Sequence, residues 1–367
     1  MTAYPLSVLF AAGGTGGHLY PAIAIADEIK RRYPDALITF VGTRGKIEER
    51  IVPQCGYNFS RIWISGLARR LAPETLLFPL KLVVSLVQSL VLISRLRPRV
   101  IVGTGGYVCG PPLYVASMLR KPTLIQEQNN FPGITTRLLS PKVTEVHISF
   151  EGSRRYLKRQ NNVHLSGTPT RAAIGSVSRR DGAAFFDLRP EKKTVLVVGG
   201  SQGAAAINSG MAHIIPSITA AGVQVLWQTG EADFERIEHG LGSPAGVRLF
   251  TFIEKMEYAY AASDLVVCRS GATTIAELMR SGLPSVLIPY PLAAADHQTH
   301  NAKAMVEKGA SVMCREQDIE HHLLEIITSL LNNPVSLEQL AATARRLGSV
   351  RATETVTDAI LRLAGHI

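Results

Sequence analysis

A chain of 367 residues is longer than one hydrophobic core usually supports, so two domains are the default expectation. Its 46% hydrophobic and 19% charged residues exclude a disordered or fibrous chain. Four dispersed cysteines (Cys55, Cys109, Cys268, Cys314) without a C-x-x-C pair fit reduced thiols and exclude a disulfide framework or a cysteine zinc site. The net charge of +10 is uneven: residues 1–170 carry 21 Lys+Arg against 9 Asp+Glu, and the remainder 18 against 20. That asymmetry suits an anionic substrate or an anionic membrane surface. Without an RNA-binding aromatic motif or a zinc finger, no nucleic-acid partner is expected.

The N-terminus lacks a basic segment ahead of its short apolar run, so it reads as a first strand and not as a signal peptide. Strands are predicted at Ser7–Ala11, Leu37–Val41, Val100–Val102, Thr123–Ile125 and Val143–Ile148. After an interruption come Thr194–Val198, Val223–Trp227, Leu265–Val267 and Ser285–Ile288. Helical periodicity separates them, which argues for α/β architecture with doubly wound parallel sheets. The interruption, "HLSGTPTRAAIGSVSRRDGAA" (residues 164–184), has the Gly, Ser, Thr and Pro content of a linker.

Between the second and third of these strands lies "TLLFPLKLVVSLVQSLVLIS" (Thr75–Ser94), long enough for a membrane span and flanked by Arg69, Arg70, Arg95, Arg97 and Arg99. Lys81, Ser85, Gln88, Ser89 and Arg95 share one helical face, however, which makes it an amphipathic helix with a wide apolar arc. Part of the arc is expected in the core and part in the bilayer interface, the latter through Leu76, Leu77, Phe78, Leu80 and Lys81. Pro79 points to a break in the first turn. A wholly buried core helix is the alternative.

A strand–glycine loop–helix unit recurs. "VLFAAGGTGGH" opens the first half and "VLVVGGSQGA" the second, with Gly13 and Gly199 lying 186 residues apart. A third loop, "VIVGTGGYVCGP", follows the strand at Val100. Such loops present backbone N–H groups and helix N-termini to anions, and ligands of open α/β sheets bind beyond the carboxyl ends of strands. None of the three is a G-x-x-x-x-G-K-[ST] P-loop or an in-register G-x-G-x-x-G, and the second strand ends in Thr43 instead of an acidic ribose ligand. A P-loop nucleotidase and a dehydrogenase are thereby disfavoured. No D-x-D pair for a divalent cation occurs; His297 and His300 are spaced i,i+3 but have no further ligands nearby and read as ordinary helix residues. No metal and no cofactor are expected.

In order, "GGTGGH", "GTGGYVCGP", "EQN", "GGSQGA", "CRSGATTIAEL" and "DHQTHNA" resemble the MurG family of peptidoglycan N-acetylglucosaminyltransferases, over about residues 8 to 305. The resemblance implies the GT-B fold: two Rossmann-like domains with parallel sheets facing a cleft. It implies transfer of N-acetylglucosamine from UDP-GlcNAc to the C4 hydroxyl of the muramoyl sugar of lipid I, with inversion, giving lipid II and UDP. The expected partition is an acceptor and membrane-facing domain at 1–166, a donor domain at 167–345, and a C-terminal helix at 346–367 packing back toward the first. Peripheral attachment to the cytoplasmic face of the inner membrane follows, with contacts to other cell-wall or division proteins.

By the same resemblance, Gly200, Ser201, Gln202 and Gly203 hold the donor diphosphate, with Ser270, Gly271 and Thr273 at a second helix start. Glu277 takes the ribose hydroxyls, the backbone of Ile253 the uracil, and Gln298 the GlcNAc hydroxyls. Thr15, Gly16, Gly17 and Asn129 complete the donor set. Arg171, in "SGTPTR", serves the phosphates, although Thr168 replaces the family's usual Asn. His18 and Glu127 are rival candidates for the base that takes the acceptor proton, a role suited to either residue type. Gly14, Gly105, Gly106 and Tyr107 cradle the acceptor diphosphate. Gln126 stands where the family commonly has His. Another lipid-acceptor UDP-sugar transferase such as a diacylglycerol galactosyltransferase, a UDP-sugar epimerase, and a non-catalytic UDP-sugar-binding protein stay open as alternatives.

Overall fold

A computed structural model describes residues 5–66, 77–200, 202–242, 244–348 and 351–366. Leu76, Ser201, Arg69 and Arg70 lie outside the described residues. The chain forms two units, residues 1–171 with 350–367 and residues 172–349; the sequence reading had placed the divisions at 166/167 and 345/346.

The first unit is built on a seven-stranded parallel sheet in the order β3-β2-β1-β4-β5-β6-β7. Its strands are β1 (Ser7–Ala11), β2 (Leu37–Gly42), β3 (Asn58–Arg61), β4 (Val100–Gly103), β5 (Thr123–Glu127), β6 (Glu145–Ile148) and β7 (Val163–Leu165). Both faces of β1 are buried. Val8 and Phe10 point into one core with Ile38, Phe40 and Val102, while Leu9 and Ala11 point into another with Ile101, Ile125 and Leu113. That double burial is why the strand reads as an uninterrupted apolar run. In the ladder, Ala11 stands beside both Val41 and Gly103, so the loops leaving β1, β2 and β4 emerge side by side.

The second unit has a six-stranded parallel sheet in the order β10-β9-β8-β11-β12-β13. It comprises β8 (Thr194–Val198), β9 (Gln224–Gln228), β10 (Val247–Phe250), β11 (Leu265–Cys268), β12 (Ser285–Leu287) and β13 (Val312–Met313). Val198 is level with Gln228 and with Cys268, which again brings three loops together at the carboxyl edge. The nine strands legible in the sequence are all present. The four it missed, β3, β7, β10 and β13, are the edge strands of the two sheets. Exposed on one side, "NFSR" and "VHL" need no continuous apolar run and so leave no pattern to read.

The helix Ala352–Leu363 returns to the first unit. Val356, Ala359 and Ile360 enter the core beside Val8 and Ile25, and Thr353 exchanges hydrogen bonds with the backbone of Thr170 at 3.0 and 3.2 Å. Its Arg362 pairs with Glu145 on β6, at 2.9 and 3.2 Å. Buried His147 donates from Nε2 to the same carboxylate at 3.0 Å and accepts from Ser166 at Nδ1 at 2.6 Å. The His147 hydrogen bond, with Arg362 adding to it, holds the Glu145 carboxyl at about 2 against the partial desolvation that opposes ionisation. Burial lowers the affinity of His147 for a second proton, consistent with a neutral ring donating to Glu145.

A carboxylate whose folded pKa is depressed stabilises the fold above its ordinary value of 4.5 and loses that contribution as pH falls toward about 2. Melting temperature is therefore expected to fall more steeply between pH 4.5 and 2 in the native chain than in Glu145→Gln, which thermal denaturation across that range measures.

Candidate active site

At the carboxyl edge of the first sheet, two glycine loops abut. Gly106 has φ +81°, and a Cβ placed on it would lie 2.7 Å from the carbonyl oxygen of Gly13. His18 stands in the first turn of the helix Gly16–Arg32, its ring against Gly105, where a Cβ would sit 2.5 Å from Nδ1. The loop glycines thus permit a backbone-on-backbone contact and an imidazole packed on bare main chain. Thr104 fixes the turn by donating its hydroxyl to the carbonyl of His18 at 2.7 Å.

Beneath the first loop lies Glu48, which the sequence reading passed over. It is fully buried in the first turn of the helix Ile47–Gln54. Its carboxylate accepts from the Gly14 N–H at 3.0 Å and from both the N–H and hydroxyl of Thr43 at 3.0 Å. Thr43 in turn meets the Tyr107 hydroxyl at 3.4 Å, so one carboxylate ties the loops after β1, β2 and β4 together. The N–H of Gly14 is thereby held by Glu48. The signal available in the sequence was a glutamate one position into a helix after "VGTRGK", a pattern shared with any solvated first turn.

Glu127, at the end of β5, is 2% exposed and surrounded by donors. One oxygen accepts from the N–H and side-chain amide of Asn129, at 3.0 and 3.2 Å. The other accepts from the N–H of Gly133 at 3.1 Å and the hydroxyl of Thr136 at 2.6 Å. Four donors on one carboxylate make a brace for the 128–136 segment. Both departures from the family pattern, Gln126 and Thr168, meet at Ser149, whose hydroxyl oxygen lies 3.1 Å from Gln126 Nε2 and 2.6 Å from Thr168 Oγ1. The Arg171 guanidinium lies 6.0 Å from the centre of the Tyr20 ring. Thr15, Gly16 and Gly17 form the start of the helix that carries His18, Thr15 being its N-cap residue.

The second unit repeats the plan with different chemistry. Gly203 and Gly230 interlock: a Cβ on Gly203 would fall 2.0 Å from the carbonyl of Thr229, and one on Gly230 2.4 Å from that of Gln202. Gly200, with φ +100°, has open space where a side chain would stand. Buried Gln228 donates to the Gly200 carbonyl at 2.7 Å and accepts from the N–H of Ile253 at 2.8 Å, coupling the phosphate-type loop to the residue expected to read the base. The helix Ala205–Ala220 begins just after this loop.

Glu277, 8% exposed on the second turn of the helix Ala272–Ser281, accepts from the hydroxyl of buried Tyr260 at 3.0 Å. It is a held carboxylate and not a solvated helix residue. Ser270 turns its hydroxyl onto the carbonyl of Gln298 at 2.9 Å, and Gln298 Oε1 accepts from the N–H of Tyr290 at 2.9 Å. Asn301 donates to the carbonyl of Ser270 at 3.2 Å. Gly271 is the N-cap of its helix, with Thr273 in the first turn. Among the described residues, no group of three or more His, Cys, Asp or Glu side chains is placed to hold a metal ion. Burial pushes the thiols of Cys109 and Cys268 up to about 12, which leaves both unreactive at neutral pH.

Two parallel-sheet units, each with a glycine loop at its carboxyl edge, define the nucleotide-sugar transferase architecture called GT-B. The glycosyltransferase family 28 N-terminal domain matches residues 8–148, and the family's C-terminal domain matches residues 194–362. The chain is 44% identical, over 98% of its length and all of the relative's, to the Chlorobaculum tepidum UDP-N-acetylglucosamine–N-acetylmuramyl-(pentapeptide) pyrophosphoryl-undecaprenol N-acetylglucosamine transferase. The Chlorobium phaeobacteroides transferase of the same description is 41% identical over the same shares. The crystal structure of Acinetobacter baumannii MurG superposes with a TM-score of 0.77 at 28% identity, covering 98% of this chain and 100% of that one. A UDP-GlcNAc 2-epimerase from Neisseria meningitidis, at 12% identity and a TM-score of 0.68, shares the fold alone. The chain belongs to the MurG family of N-acetylglucosaminyltransferases.

Glu48→Gln keeps volume but sets its NH₂ end against either the Gly14 donor or the two Thr43 donors, which bond different oxygens of Glu48. A stability loss on the order of 3 kcal/mol is expected in chemical denaturation, since hydrogen bonds to a buried charge contribute about 1.5–3 kcal/mol each.

Proposed function

We infer that the chain moves N-acetylglucosamine from UDP-N-acetylglucosamine to the muramoyl C4 hydroxyl of undecaprenyl-diphosphate-linked MurNAc-pentapeptide, giving lipid II and UDP. The observation that carries this reading is end-to-end similarity, at 41% and 44% identity, to transferases of that description. In the proposed step His18 Nε2 takes the proton of the acceptor hydroxyl. That oxygen forms a bond to the anomeric carbon as the bond to UDP breaks, and the electron pair leaves on the β-phosphate. A single displacement of this kind inverts the anomeric centre.

The developing charge on UDP falls to the backbone of Gly200, Gln202 and Gly203, the start of the helix Ala205–Ala220, and the Ser201 hydroxyl, with Arg171 as the cation. Glu277, oriented by Tyr260, accepts from the ribose hydroxyls. With the Ile253 N–H held by Gln228, its carbonyl is the group that accepts the N3–H of uracil, a proton that cytosine lacks. Gln298, its Oε1 occupied by Tyr290, offers its amide hydrogens to the sugar. On the acceptor side, Gly105, Gly106 and Tyr107 form the surface beside His18.

The helix Phe78–Leu96 supports peripheral attachment to an anionic cytoplasmic membrane face. Among the described residues it is the one helix long and apolar enough to cross a bilayer, with mean hydropathy 1.6. Its fully buried residues are Ser85, Ser89 and Ile93, and the two hydroxyls bond to carbonyls of their own helix, Leu82 and Ser85, at 2.8 and 2.7 Å. Leu80, Leu82, Val83, Val87, Leu90 and Val91 face outward, the three valines at 59%, 55% and 60% exposure, while Leu86, Leu92, Ile93 and Leu96 pack on the core. Leu77 and Leu80 belong to that exposed face, Phe78 is half-buried, and Pro79 lies in the first turn without breaking it. Lys81 reaches back to Ser65 at 3.2 Å and over the Trp63 ring. A helix bound to its own domain along one side lies on a membrane and does not cross it.

Two experiments test this reading. With labelled UDP-GlcNAc, transfer is expected to lipid I and not to diacylglycerol. His18→Ala is expected to lower kcat by about 10²–10⁴-fold at unchanged UDP affinity, and Glu277→Ala to raise KM for UDP-GlcNAc at least about tenfold. For the membrane, the triple variant Val83→Glu, Val87→Glu, Val91→Glu is expected to lose co-sedimentation with phosphatidylglycerol vesicles while retaining turnover on a short-chain acceptor.

A further inference from the structure

Gln128 sits between the base candidate and the sheet, and its orientation is not free. It is 1% exposed, and its Nε2 donates to the carbonyl of Thr104 at 2.7 Å, to that of Gln126 at 3.1 Å, and to Gln126 Oε1. Reversing the amide would set its oxygen against three acceptors, leaving two amide hydrogens buried without them. The NH₂ end therefore faces the acceptors, and Oε1 faces His18 Nδ1 at 3.0 Å. A carbonyl oxygen accepts and never donates. Whatever hydrogen lies between the two atoms belongs to the imidazole.

We propose that Gln128 is a positioning residue that locks neutral His18 in its Nδ1–H tautomer, so that Nε2 carries the lone pair that takes the acceptor proton. This rests on the base assignment above and adds the means by which it is achieved. Among the described residues Nε2 of His18 makes no hydrogen bond, whereas Nδ1 makes this one. In Ser-His-Asp triads a carboxylate performs the same orienting task and also stabilises the imidazolium that forms. An amide supplies orientation without charge. Gln126 completes the device: its Oε1 fixes the Gln128 amide, while its own Nε2 is held by Ser149 at 3.1 Å and by the Gly167 carbonyl at 3.3 Å. The pairing runs from ring to amide to amide to main chain, each acceptor facing one donor.

The test combines nitrogen NMR with kinetics on the full chain. In ¹⁵N-histidine-labelled protein, with the His18 signals assigned by their loss in His18→Gln, Nδ1 of neutral His18 is expected at the protonated, pyrrole-type shift and Nε2 at the unprotonated, pyridine-type shift. Gln128→Met keeps volume but removes the acceptor; the Nδ1–H preference is expected to collapse, and kcat to fall at least about tenfold with KM for UDP-GlcNAc unchanged. A role confined to stability would alter neither the tautomer signature nor the split between kcat and KM. An Nε2–H signature in the native chain, or a Gln128→Met chain with native tautomer and kcat, overturns the proposal. Should His18→Ala turn over normally while the native ring shows Nδ1–H, the base assignment fails and the tautomer assignment stands.

Discussion

At the carboxyl edge of each sheet, main chain packs on main chain at distances that admit no Cβ. Gly106 against Gly13 sets the first site and Gly203 against Thr229 the second. His18 is placed because Gly105 gives its ring a flat wall, and the phosphate-type loop is placed because Gly230 lets it nest on its neighbour. A side chain at any of these positions would push apart loops that the ladders of β1, β4, β8 and β9 have just aligned. The folds of the sheets and the geometry of the sites are one constraint seen at two scales.

Polar burial does the fine positioning. Glu48, Glu127 and Glu277 are all nearly or fully buried, yet each accepts from specific donors, so none of these three carboxylates is buried without compensation. The price is paid in donors, and it explains why residues that look reactive in the sequence are not equally available in the fold. Glu127 answers to four donors and braces a loop; His18 meets one side-chain acceptor, through Nδ1. Gln126 and Thr168, which depart from the family pattern separately, share Ser149 and so form one local arrangement.

The sequence made the interior legible because buried strands and glycine loops carry strong local signatures. "SVLFA" is apolar on every residue but its first since both faces are covered, and "GGTGGH" has no other economical use than a close turn. What it hid was long-range or one-sided. The four edge strands lack an apolar run. Glu48 and Gln128 gain their meaning from partners that local spacing cannot show: Gly14 lies 34 residues from Glu48, and His18 lies 110 from Gln128. The helix Phe78–Leu96 announced its amphipathicity, but not which side turns inward, because a serine that bonds its own helix can be buried where a lysine cannot.

The two glycine loops look alike in the sequence, and what lies against them tells them apart. Under the first is a carboxylate, Glu48, that holds the amide of Gly14 and places negative charge beneath the loop. Against the second is a neutral amide, Gln228, that holds a carbonyl of Gly200 while the outer side of that glycine stays open. An anion approaching the first loop meets a buried charge of its own sign; one approaching the second meets a helix start with no such charge. The same backbone plan thus rests on a buried carboxylate in one unit and on a neutral amide in the other. One buried side chain, and not a different loop, makes that difference.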